Sequence, residues 1–210
     1  MPTIELDTFA IFFAAALVIA ISPGPGILYV AARTLAGGRT VGLASSFGTS
    51  LGGLVHVIGG AVGLSALVMA SAEAFTTLKL VGAAYLIWLG IKTVREAKVV
   101  MPIEAQRTGA GLAFRDGVIV EALNPKTAAF FLAFIPQFID PAQGIAAQFV
   151  MLGVVSVTLN TLADIVVTYS AARARAGMES HPLLVQRLRQ GSGLALCGLG
   201  TLLVFARRTG

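Results

Sequence analysis

Two stretches of this chain run for unusual lengths without a charged residue, Thr8 to Ala32 for 25 residues and Thr40 to Ala72 for 33. A bilayer core is crossed by about 20 apolar residues in helical conformation, so each stretch is long enough to span a membrane. Composition agrees. With 56% hydrophobic and 12% charged residues and a mean hydropathy of +0.86, the chain has too few polar residues to cover a water-exposed globule. A soluble enzyme is excluded, and the fold class is all-α integral membrane.

Further runs complete a set of six transmembrane helices. Ala74 to Ile91 gives span three, with Lys79 near enough to an end to reach head groups. Gly117 to Ile139 gives span four, stopping at Asp140-Pro141; Ala142 to Ala172 gives span five; Gln190 to Ala206 gives span six. The segment before Thr8 carries Glu5 and Asp7 and no basic residue, which reads against a cleaved signal peptide. Between spans three and four, Lys92 to Arg115 is polar and divides one transmembrane domain, 1–210, into half-repeats 1–97 and 111–210 with a connector at 98–110. Pro23 and Pro125 lie 102 residues apart, close to half the chain. Three spans per half force the second half to enter from the opposite face, so two inverted three-helix repeats are expected.

Lys and Arg number eleven in the loops after spans one, three and five, against three on the other side. By the positive-inside rule both termini face away from the cytoplasm. The net charge of +5 therefore marks orientation and contact with anionic lipid, not a nucleic-acid partner. Cys197 is the only cysteine, so neither a disulfide nor a Cys-rich zinc site can form within the chain, and no ligand-spaced cluster suggests a metal or cofactor.

The informative places are where the helices must break. In span one Ser22-Pro23-Gly24-Pro25-Gly26 removes two backbone donors and permits non-helical angles. The apolar run before it, Phe9 to Ile21, is 13 residues, too short to cross alone. Span four has a counterpart in Asn124-Pro125-Lys126, with Glu121 one turn earlier. Groups freed at such breaks are tolerated only inside protein or against water, and they suit the charges of a small solute. On span five, Ser156, Asn160, Asp164 and Thr168 form a polar stripe. On span two, Ser45, Thr49, His56 and several glycines share a face, with Gly48/Gly52 and Gly59/Gly63 fitting close helix packing. His56 reads equally as an interhelical hydrogen bond or a proton carrier.

Ile21 to Gly26, Tyr85-Leu86-Ile87-Trp88-Leu89-Gly90-Ile91-Lys92, Phe114-Arg115 leading to Asn124-Pro125-Lys126, and Phe134-Ile135-Pro136-Gln137-Phe138 together resemble the LysE/RhtB amino-acid exporters of bacteria. The resemblance covers nearly the whole chain. It implies an inner-membrane exporter of amino acids driven by the proton gradient, with both broken segments near the substrate.

The expected substrate site is Ser22, Pro23, Gly24, Pro25, Gly26, Asn124, Pro125, Lys126, Asn160 and Asp164. A substrate carboxylate would meet the N–H groups around Gly24 to Gly26 or Lys126, and its ammonium Asp164, Asn124 or freed carbonyls. Candidates for proton coupling are Asp164, His56 and Glu121. The alternative class is a passive channel or a membrane scaffold subunit; a membrane enzyme is disfavoured by the lack of His-Glu-x-x-His and Gly-x-Ser-x-Gly motifs. The expected partners are an amino acid and the bilayer, and pairing as a homodimer turns on which glycine stripe faces a neighbour.

Overall fold

A computed structural model describes residues 5–70, 72–95 and 109–174, with isolated positions between 187 and 205. Among the described residues the secondary structure is helical throughout, with no strand. The expected sixth span and most of the connector 98–110 lie outside the described residues.

Helix α1 (Leu6–Ile21) ends at Ser22, and α2 (Pro25–Gly37) begins with Pro25 in its first turn, where a missing N–H costs nothing. The two are bent by 44°. Gly38 then turns the chain at φ 78°, a conformation that favours glycine, into α3 (Arg39–Ala70). Helix α4 (Ala72–Arg95) follows. After the connector, α5 (Ala110–Ala122) breaks at Asn124, and α6 (Pro125–Ala129) continues into a π-helical turn (Phe130–Phe134) and a 3₁₀ turn (Ile135–Phe138). This second broken pair is bent by 40°. Pro136 explains the irregular turns: it lacks the donor that the Leu132 carbonyl would use, so the ladder widens and then tightens around it. Helix α7 is Ile145–Ala174.

Helices α3 and α7 each contain a segment long and apolar enough to cross a membrane, and each bent pair is long enough when counted as one span. Along α1, α3 and α7 large apolar side chains remain exposed, among them Ile11, Leu17, Leu51, Val55, Ile58, Val62, Leu162 and Val166. Exposed apolar faces on three separate helices are what lipid contact requires.

Backbones approach closely where α3 meets α5. A Cβ at Gly48 would collide with the Phe114 carbonyl, one at Gly117 would stand 2.8 Å from the Ser45 carbonyl, and one at Gly52 would meet Val118 O and Glu121 Cβ. The Gly48/Gly52 packing expectation therefore holds. At Gly59 and Gly63, by contrast, a Cβ meets nothing within 4 Å among the described residues. At 100° per residue Gly59 and Gly63 stay on the same face as Gly48 and Gly52, but Gly52 already meets the last turn of α5 at Ala122, so the two later glycines lie beyond its end, while Gly53 turns to Val157 and Gly60 to Phe149 of α7.

Candidate functional site

Each proline break leaves a particular carbonyl without its helical donor, because the acceptor at position i loses the N–H of residue i+4 when that residue is proline. Pro23 frees the Ile19 carbonyl and Pro125 frees that of Glu121. Each is satisfied by a basic side chain from elsewhere in the chain. Lys126 Nζ donates to Ile19 O at 3.0 Å and to Ser22 O at 2.9 Å. His56 Nε2 lies 2.9 Å from Glu121 O, and because a carbonyl only accepts, Nε2 must carry the hydrogen.

Both breaks keep the same local geometry, with Ser22 N donating to Ile19 O at 3.2 Å and Asn124 N to Glu121 O at 3.0 Å. Ile19 and Glu121, like Pro23 and Pro125, are 102 residues apart.

The two motifs also fit each other sterically. Gly24 lies where a Cβ would come within 3.1 Å of the Lys126 stem, and a Cβ at Gly26 would collide with Glu121 Oε2. Glycine at these two places leaves room for the two charged side chains of the second break. Lys126 sits at the C-terminal, negative end of α1, where a cation is favoured, and it is buried, at 4% exposed.

Around Glu121 the hydrogen bonds close a small network. Thr127 Oγ1 donates to one carboxylate oxygen at 2.6 Å and Asn124 Nδ2 to the other at 2.8 Å, while Asn124 Oδ1 accepts the Lys126 N–H at 3.1 Å and so caps α6. Across from it, Thr49 Oγ1 lies 2.7 Å from Asp164 Oδ2. Thr168 meets Ser46 at 3.2 Å one turn further along. The elements enclose a cavity of about 20 Å³ lined by Gly26, Ile27, Thr49, Ser50, Gly53, Glu121, Asn124, Lys126, Asn160 and Asp164, with Ala20, Val157 and Thr161. That volume admits about one water molecule, so this conformation is closed to an amino acid.

Of the residues expected from sequence, Gly26, Asn124, Lys126, Asn160 and Asp164 line the cavity. Ser22 contributes its carbonyl, while its hydroxyl donates to Val18 O at 2.6 Å. Pro23, Gly24, Pro25 and Pro125 shape the breaks without lining the cavity. Glu121 is buried in the site, and His56 bonds its backbone carbonyl. The Ile19 carbonyl and Thr127 escaped the sequence reading. The former follows from counting four residues back from Pro23, whereas nothing in the sequence alone marks Thr127.

A family model for the LysE type translocator matches residues 17–207. The chain belongs to the LysE type translocator family. Relatives at similar distance include a homoserine/homoserine lactone efflux protein of Salmonella typhimurium, 33% identical over 204 residues and covering 95% of this chain and 98% of the relative. An "Uncharacterized membrane protein" of Vibrio cholerae serotype O1 is 32% identical over 208 residues, covering 97% and 99%. No solved structure matches the chain. Family membership makes this a membrane translocator and not an enzyme, and both broken helices fall within the matched residues.

Proposed function

We propose that this translocator exports a small amino acid of the homoserine class, or a close derivative, across the bacterial inner membrane by proton-coupled alternating access. The observation that carries the reading is Lys126 bridging from the second break to the carbonyls freed at the first. Charges inside a membrane span are costly and gather where a polar solute must pass. One cation and two carboxylates around one closed cavity match a zwitterion, whose carboxylate would meet Lys126 and whose ammonium would meet Glu121 or Asp164. The efflux activity named for the Salmonella relative supports the substrate class.

A cavity this small opens only if the helices move, which favours a carrier over a standing pore. The matched break geometry supports two half-repeats, inverted with respect to one another, and rocking of one against the other would expose the cavity to each side in turn. Arg33, Arg39 and Arg115 near the ends of α2, α3 and α5 support a cytoplasmic position for those ends, with both termini outside.

Efflux of loaded homoserine from vesicles tests the reading. Pro23→Ala and Asn124→Ala should each lower the rate about tenfold or more, and Lys126→Met about a hundredfold, in the range found for truncating one partner of a buried charged contact. Wild-type rates in all three variants would refute it.

A further inference from the structure

The geometry points to Asp164, with the Thr49 hydroxyl as its switch, as the group on which a proton and the substrate ammonium exclude one another. This inference rests on the export reading above and goes beyond it by choosing among three titratable groups.

Their hydrogen bonds separate them. Glu121 accepts at both carboxylate oxygens, from Thr127 Oγ1 and Asn124 Nδ2. The amide of Asn124 cannot turn over, because its oxygen is held by the Lys126 N–H. A proton placed on Glu121 would therefore face a fixed donor on one oxygen and, on the other, a Thr127 hydroxyl that has no second acceptor among the described residues to which its hydrogen could turn. His56 is committed as a donor to the Glu121 carbonyl, in place of the N–H that Pro125 lacks, and it does not line the cavity.

Asp164 differs. Thr49 Oγ1 lies 2.7 Å from Asp164 Oδ2 and 2.8 Å from the Ser46 carbonyl, but a hydroxyl has one hydrogen to give. With Asp164 ionised, that hydrogen points to Oδ2. With Asp164 protonated, the acid donates to Thr49 Oγ1 and the Thr49 hydrogen turns to Ser46 O. Both states use the same heavy-atom positions, so the proton is gained or lost by rotating one O–H bond. Asp164 lines the cavity, where a single water can deliver the proton.

The surroundings supply the coupling. Among the described residues, the other titratable side chains lining the cavity are Glu121 of α5 and Lys126 of α6. From α2, Tyr29 and Arg33 are turned to α5, and from α3, His56 is turned to the Glu121 carbonyl. When Asp164 is neutral, Lys126 and Glu121 balance. When it is ionised the cavity carries one net negative charge, which an incoming ammonium neutralises. Proton and substrate thus compete for one place, as antiport requires.

Homoserine transport by the purified protein in liposomes, measured against pH, tests this. For wild type the half-saturating homoserine concentration should rise on acidification, because protonation removes the charge that attracts the ammonium. Asp164→Asn should raise that concentration about tenfold and make it independent of pH, with drive by a pH gradient lost. Glu121→Gln should weaken binding yet keep the pH dependence, and Thr49→Val should move its midpoint. A pH dependence that survives in Asp164→Asn, or vanishes in Glu121→Gln, would overturn the inference. Should Asp164→Asn fail to fold, or wild type carry no homoserine, infrared titration of the carboxylic C=O band in wild type, Thr49→Val and Glu121→Gln decides. A titrating band kept in Glu121→Gln and shifted in Thr49→Val supports Asp164; a band lost in the former and unmoved in the latter overturns it. No homoserine transport by wild type contradicts the export reading separately.

Discussion

On one side of the two breaks, α1 and the segment after α6 meet through phenyl rings; on the other, α2 and α5 meet through a tyrosine, an arginine and an aspartate. Phe12 stands edge-on to Phe138 with centroids 5.4 Å apart and also contacts Phe130, which stacks on Phe134 at 5.2 Å. These rings belong to a buried core that also draws on α3, α4 and α7. Across the cavity, Tyr29 donates to Ala113 O at 2.7 Å, Arg33 pairs with Asp116 at 2.9 Å, and the Arg33 guanidinium lies 5.3 Å from the Tyr29 ring. Aromatic packing is lost in full when it parts, whereas a partly buried ion pair can exchange its partners for water at a lower cost. The difference teaches that the two sides of the breaks are held with unequal strength, and under the proposed alternating access the α2–α5 side is expected to open more easily.

Three substitutions sharpen that contrast. Phe12→Ala should lower unfolding stability in detergent by about 3–5 kcal/mol, the range for emptying a buried phenyl site; a loss under about 1 kcal/mol would mean the rings bear little load. Asp116→Asn should cost about 1 kcal/mol or less in stability while raising the labelling rate of a cysteine at Ser50, in a Cys197→Ser background, about fivefold. Unchanged labelling would deny the α2–α5 contact any role in closure. Gly59→Ala, where a side chain would meet nothing among the described residues, should change stability by less than about 0.5 kcal/mol and leave efflux at wild-type rate. A larger effect would place a neighbour against that face.

Much of this was legible in the sequence because proline and glycine act locally. The breaks at Pro23 and Pro125 follow from missing donors, and their pairing follows from the 102-residue offset. Glu121, Asn124 and Lys126 stand out as polar residues in an apolar run. What escaped depends on contacts between distant segments. Arg33 and Asp116 are 83 residues apart, and Arg33 by itself reads as a loop charge that sets orientation. Thr49 was visible as part of a stripe, but its choice between Ser46 and Asp164 needs three-dimensional distances. Gly59 and Gly63 share their spacing with Gly48 and Gly52, and periodicity alone cannot say which turns of α3 have a neighbour. The widening of the helix after α6 needs both Pro136 and the ring packing around it.

Disulfide trapping tests the meeting of the two breaks most directly. In membranes carrying Cys197→Ser with Gly24→Cys and Lys126→Cys, mild oxidation followed by mass spectrometry of the peptides should join residues 24 and 126 within one chain. Free thiols at both positions after oxidation would contradict a shared site.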